Sequence, residues 1–181
     1  MSEIQVASRY AKSLIDLAVE QNALEAVKAD IEFFLRTLRE NPTLKAVLKN
    51  PILGPDKKSG ILNQLFGPRL HPMIISFFTI VVRKGRSAIL FETAKEFINE
   101  YNVRKNIVKA TVTTAAPISK ENLKEVEMVI KQATHGEIIL TTKIDPLLIG
   151  GFILKVGDKQ FDTSISSQLN KLRKEFMQKV G

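Results

Sequence analysis

The sequence contains no cysteine, no tryptophan and only two histidines, His71 and His135, in 181 residues. The missing thiols exclude a disulfide scaffold, a thiolate zinc site and a cysteine nucleophile, and two imidazoles leave little for histidine chemistry. Any catalysis would fall to carboxylates, hydroxyls and lysines. Long apolar runs are also lacking. Met73 to Val82 is the longest candidate and is interrupted by Ser76 and Thr79, well short of the roughly 20 residues that cross a bilayer as a helix. The opening segment mixes Glu3, Asp16 and Glu20 with Arg9 and Lys12. It has neither the apolar core of a secretory signal nor the acid-poor composition of a transit peptide, and it reads as mature protein of a bacterial cytoplasm.

Positive charge, by contrast, is abundant: 27 Lys+Arg stand against 19 Asp+Glu, a formal net charge of +8. That excess implies attraction to a polyanion, either nucleic acid or an acidic protein surface. It is split between residues 1–105, at +5, and the remainder, at +3, so no basic arm stands out.

The pattern of the chain changes near residue 106. Before it, helix signals dominate. Ser2 with Gln5 and Asn22 with Glu25 have capping-box spacing, Asn41-Pro42 and Gly54-Pro55 place proline at a first helical position, and Ser87 precedes another amphipathic run. With Leu70 to Lys84, which stops at Gly85, these delimit helices over about 3–21, 23–40, 42–49, 55–66, 70–84 and 88–105. After Asn106, Val108, Ala110 and Val112 alternate with Lys109, Thr111 and Thr113, the period of a half-buried strand. Ser119 caps a helix to about Ala133, Ile138–Ile144 and Phe152–Val156 read as strands, and Gly157-Asp158 suits a type II′ hairpin turn. A last helix from about Ser164 puts Ile165, Leu169, Leu172, Phe176 and Val180 on one stripe. The expected fold is mainly α: a six-helix bundle over 1–105, then a small α+β domain over 106–181.

Two helices are more apolar than a surface helix needs. On the first, Ile4, Ala7, Ala11, Leu14 and Ala18 form one seam and Val6, Tyr10 and Leu17 an adjacent one. At about 100° per residue the two seams cover half the circumference. Small alanines let a partner helix come close; a core helix touching several neighbours explains the pattern equally well. The fifth helix, with Ile74, Ile75, Phe77, Phe78, Ile80, Val81 and Val82, is apolar on nearly every side, which fits burial at the bundle centre or a shared groove.

Chemical motifs fail. Gly54-Pro55-Asp56-Lys57-Lys58-Ser59-Gly60 holds a Lys-Ser pair, but Lys57 stands where a phosphate loop needs glycine, and Pro55 removes an amide. Gly150-Gly151 followed by Gly157 lacks dinucleotide spacing. Asp145, Asp158 and Asp162 fall near turns, and His71 and His135 read as exposed boundary residues. There is no nucleophile with a base and no ligand cluster.

The opening Ala7-x-x-Tyr10-Ala11-x-x-Leu14 resembles the first helix of the delta subunits of F-type ATP synthases, the oligomycin sensitivity conferring protein family. A more specific likeness is the run Ile144-Asp145-Pro146-Leu147-Leu148-Ile149-Gly150-Gly151-Phe152-Ile153-Leu154-Lys155-Val156-Gly157-Asp158, followed by Phe161-Asp162-Thr163-Ser164-Ile165 and Leu169. It is similar to that family's C-terminal signature. The resemblance covers essentially the whole chain. It implies a stator component, one copy per complex, with no cofactor and no catalytic residue, on the cytoplasmic face of a bacterial inner membrane as a peripheral part of the synthase. It further implies a groove for the N-terminal helix of an alpha subunit between the first and fifth helices. The candidate groove residues are Ala7, Tyr10, Ala11, Leu14, Ala18, Phe77, Phe78 and Val81. The C-terminal domain would meet the b subunits of the peripheral stalk, with Gly150, Gly151, Asp162 and Ser164 as structural supports.

A basic nucleic-acid-binding module is the competing reading. Against it, the cations are dispersed over helix faces, the aromatics sit in apolar contexts, and no helix carries a polar face rich in Asn, Gln and Arg.

Overall fold

The computed structural model describes residues 3–134, 136–157 and 159–179. Its chain is mainly helical with one small four-stranded sheet, and it divides into two compact units, Met1–Asn102 and Val103–Gly181. The elements in order are α1 (Glu3–Glu20), α2 (Leu24–Glu40), α3 (Pro42–Lys49), α4 (Pro55–Phe66), α5 (Pro72–Arg83), a 3₁₀ turn (Ser87–Ile89), α6 (Leu90–Arg104), β1 (Ile107–Thr114), α7 (Lys120–Thr134), β2 (Glu137–Ile144), β3 (Phe152–Val156), β4 (Lys159–Asp162) and α8 (Ile165–Lys179).

Local chemistry sets most of these boundaries. Pro42 and Pro55 occupy first helical turns, where a missing N–H costs nothing. Gly85 closes α5 at φ +70°, with its own N–H bonded to the Val82 carbonyl and the Arg86 N–H to that of Val81. This left-handed closure suits a residue without Cβ.

Three expectations at helix ends are corrected. Asn22 does not open α2 by a capping box with Glu25. It sits at φ +53° and closes α1, donating its N–H to the Val19 carbonyl while Ala23 donates to Ala18. Asparagine tolerates the left-handed region, so the same residue type serves either end of a helix. Ser87 caps nothing: it is buried in the 3₁₀ turn, where its Oγ donates to the Leu48 carbonyl at 2.7 Å. His71 stands at a boundary as expected but is half-buried rather than exposed, as the N-cap of α5. Its Nδ1 accepts from the Met73 N–H, and its own N–H donates to Asp30 Oδ2 at 2.6 Å. The proposed Ser2–Gln5 box rests on Ser2, which lies outside the described residues, as do His135, Asp158 and Val180.

In the first unit the core is aromatic at its centre. The Phe34 ring lies 4.5 Å from that of Phe78 and 5.2 Å from that of Phe66, centroid to centroid, and Ile15, Ile31, Ile74, Leu90 and Phe97 are buried with them.

The second unit is built on a sheet of order β2-β1-β3-β4. β1 and β2 pair in parallel, joined through α7, while β1–β3 and β3–β4 are antiparallel. Alternation puts Ala110, Val112 and Leu154 on one face, where they bury against Ile130 with Val126 and Ile118 alongside. Ser119 caps α7 through its Oγ and the Asn122 N–H. Val156 pairs with Lys159, and Gly157 follows Val156 at φ +57°.

Candidate functional site

Of the candidate groove residues, Ala7, Ala11, Leu14 and Ala18 on α1 and Phe78 and Val81 on α5 are buried inside the unit. Here the core alternative holds: their neighbours are residues of the same chain, and no surface remains for a partner to touch. Tyr10 and Phe77 differ. Both are half-buried, and their rings meet edge to face with centroids 6.1 Å apart. Arg86 closes over the Tyr10 ring at 5.7 Å and donates to its hydroxyl at 3.1 Å.

Each of the two rings borders a shallow hollow, one on α1 beside Arg86 and one between α1 and α5. One, of about 310 Å³, is lined by Val6, Arg9, Tyr10, Ser13 and Arg86. The other, of about 370 Å³, lies among Leu17, Gln21, Met73, Ser76, Phe77 and Ile80. Leu17 is 37% and Ile80 52% exposed, although each stands on a helix whose buried stripe is complete without it. Sequence periodicity named the two helices; its second seam, Val6, Tyr10 and Leu17, and the apolar Ile80 fall on the rims of these hollows, whereas the candidate groove residues followed the stripe that the unit itself consumes, and Ser76 and Arg86 carried no signal as site residues.

In the second unit the four signature residues come together. Gly151 has φ +77°, and a Cβ there would collide with the Thr163 carbonyl; a Cβ on Gly150 would come within 2.8 Å of the Ile165 side chain. The Gly150 carbonyl accepts the Ile165 N–H, and Phe152 accepts from Thr163. Ser164, buried, is the N-cap of α8 and accepts from the Ser167 N–H at 3.3 Å. Asp162 accepts from the Ser164 N–H at 2.9 Å and the Ser167 hydroxyl at 2.6 Å. These hydrogen bonds, the Ser167 hydroxyl first, hold its carboxyl below the usual range. The cluster fastens α8 to the start of β3. No nucleophile or base is among its members.

Around this fastening, apolar side chains face outward: Leu147 and Ile149 in the loop before Gly150, and Ile165, Leu169 and Phe176 along one face of α8, all exposed. Among the described residues no helix is long and apolar enough to cross a membrane, and no group of His, Asp and Glu is placed to hold a metal ion.

Comparison with known proteins agrees along the full length. The family model described as ATP synthase delta (OSCP) subunit matches residues 6–176. A protein called ATP synthase subunit delta from Cytophaga hutchinsonii is 38% identical over 180 residues, covering 99% of this chain and 98% of its own. Another of that name, from Amoebophilus asiaticus, is 34% identical over 176 residues, 97% and 96% of the two chains. Among solved structures, a chain of the Toxoplasma gondii mitochondrial ATP synthase hexamer shares the fold at a TM-score of 0.76 and 22% identity, covering 94% of this chain and 97% of that one. Nothing in these matches supports a nucleic-acid-binding module. The chain therefore belongs to the ATP synthase delta (OSCP) subunit family, and with it to the stator components of F-type ATP synthases.

Proposed function

We propose that the chain is a non-catalytic joint, with its six N-terminal helices acting as one bundle that receives the N-terminal helix of an alpha subunit. The observation that carries this reading is the pair of hollows beside the Tyr10–Phe77 contact, with the exposed Leu17 and Ile80 on the rim of the second. An amphipathic helix laid along the α1–α5 seam would cover Leu17 and Ile80 and bring its own apolar anchors into both hollows. Such burial supplies about 25 cal/mol per Å², less the cost of association, and a joint that resists torque needs no more chemistry than that.

The second unit then meets the b subunits of the peripheral stalk through the exposed apolar residues of α8 and the Leu147–Ile149 loop. The Gly150, Gly151, Asp162 and Ser164 fastening holds both in place. Through these partners the protein sits peripherally on the cytoplasmic face of a bacterial inner membrane and couples rotation to ATP synthesis.

The test is binding of a synthetic peptide of the alpha-subunit N-terminus to the full chain by calorimetry. Saturable one-to-one binding, weakened by Leu17→Glu and Ile80→Glu with unchanged thermal stability, is expected. Unaltered binding by both stable variants would remove the seam as the site.

A further inference from the structure

Among the described residues, one face of the second unit's sheet packs against α7, and the lysines of the other face are exposed. That face carries three of them, Lys109 on β1, Lys143 on β2 and Lys155 on β3, with Thr111, Thr113, Ile153 and Gln160 between them. The register explains the placement. Thr111 stands opposite Lys155 and Thr141, and Thr113 opposite Ile153 and Lys143, so all of these share the face that Ala110, Val112 and Leu154 avoid. Together they line a depression of about 400 Å³. Two carboxylates lie on this face by register. Glu137, opposite Ile107, is at its far corner, and Asp162, opposite Ile153, is already engaged by Ser164 and Ser167.

From this face we infer a docking surface for an acidic amphipathic helix of a partner protein. Spacing argues for it. With strands about 4.8 Å apart and about 3.4 Å per residue, the Lys109 and Lys155 roots are about 8 Å apart, Lys155 and Lys143 about 12 Å, and Lys109 and Lys143 about 14 Å. No single small anion engages three cations rooted so far apart as well as an elongated ligand does. A helix rises about 6 Å over four residues and about 10.5 Å over seven, so carboxylates at those intervals fall within reach of the flexible lysine stems. The threonine methyls and Ile153 form a floor on which its apolar side can rest. Covering an open sheet face with a helix is also the ordinary way such a layer is completed.

Nucleic acid fits less well. The face has no aromatic ring and no arginine on which a base could stack, and three lysines are fewer than the six or more phosphate contacts that give firm duplex binding. A membrane surface is disfavoured by the concavity and by the small number of cations, since polybasic lipid binding uses about four to eight. The inference is independent of the α1–α5 seam and of the apolar face of α8.

Fluorescence anisotropy with the full chain tests it. The probe is a labelled 15-residue alanine-rich peptide carrying glutamates at positions 1, 5, 8 and 12. Replacing Lys109, Lys143 and Lys155 together by Ser should weaken binding about tenfold, the sum of three exposed ion pairs. A control triple of the same charge change, Lys57→Ser, Lys124→Ser and Lys171→Ser, should change it less than about twofold. Independently of any variant, titrating the peptide into the unaltered protein should shift the amide resonances of Thr111, Thr113 and Lys155. Equal loss in both triples, no shift at those amides, or tighter binding of a 15-mer oligonucleotide or of phosphatidylserine vesicles abolished by the same first triple would overturn the proposal.

Discussion

The ring of Tyr10 meets that of Phe77 edge to face at 6.1 Å, and each ring borders a hollow of its own. The contact also separates positions that hold the unit together from positions free to hold a partner. Ala11, the residue after Tyr10, is fully buried, whereas Ile80, about one turn from Phe77, is half exposed.

Substitutions at these positions should behave oppositely. Ala11→Arg forces a charge into a packed interior with no counter-ion and should unfold the unit outright. Ile80→Glu should leave the melting temperature within about 2 °C of the original, as surface changes usually do, while weakening the alpha-subunit peptide about tenfold or more. Differential scanning calorimetry and titration on the same samples separate the two effects; an Ile80→Glu protein that unfolds would place that residue in the core.

Lys58 is buried on α4, and its Nζ donates to the Leu48 carbonyl at 3.0 Å and to Ser87 Oγ at 2.8 Å. Leu48 lies in the last turn of α3, where carbonyls lack helical partners and the dipole favours a cation. Lys58→Met should therefore cost about 1.5–3 kcal/mol, the range for hydrogen bonds to a charged group. The denaturation midpoint would fall at constant m-value. A neutral result would mean that the methionine packs as well as the bonded ammonium.

At the signature, Ser164→Ala removes the α8 cap and should lower stability by about 0.5–2 kcal/mol. Gly151→Val should be far more damaging, because φ +77° and the Thr163 carbonyl both oppose a branched Cβ. Hydrogen exchange should show the loss confined to β3, β4 and α8 in the first case and spread through the sheet in the second.

The Asp162 carboxyl gives a pH signature. Its folded pKa is lowered from the ordinary 3.8, so its contribution is fully present above that value and is lost as pH falls through the folded pKa. The Ser164 and Ser167 amide resonances should titrate together below pH 3.8, and Asp162→Asn should abolish that titration while leaving ATP hydrolysis by the synthase head untouched. Loss of hydrolytic turnover in Asp162→Asn with binding preserved would demand a catalytic role.

A fragment of residues 1–105 should fold alone and retain the peptide site, since the Phe34, Phe66, Phe78 and Phe97 core is drawn wholly from it. Circular dichroism of an unfolded fragment would refute that.

Sequence by itself determined what is local. Pro42, Pro55, Gly85, Ser119 and Ser164 mark helix ends because each acts on its own backbone within a few residues. The alternation around Ala110 marks a strand because side-chain direction has a fixed period. The signature run was legible as a family likeness before its geometry was, since glycine and capping residues at set spacing serve one structural fastening. Only the tertiary structure decided which partner satisfies each group. Periodicity says that the Ala7–Ala18 seam is apolar but not whose side chains cover it, and the unit's own core does so. Asn22 carries the same polar side chain at either helix end, and its positive φ settled which end it serves. In the sequence Lys58 stands only in a failed phosphate-loop motif; its burial follows from the α3 terminus and Ser87, brought to it from 10 and 29 residues away. Long-range contacts of this kind depend on where the chain returns in space, and that is not written in any local window.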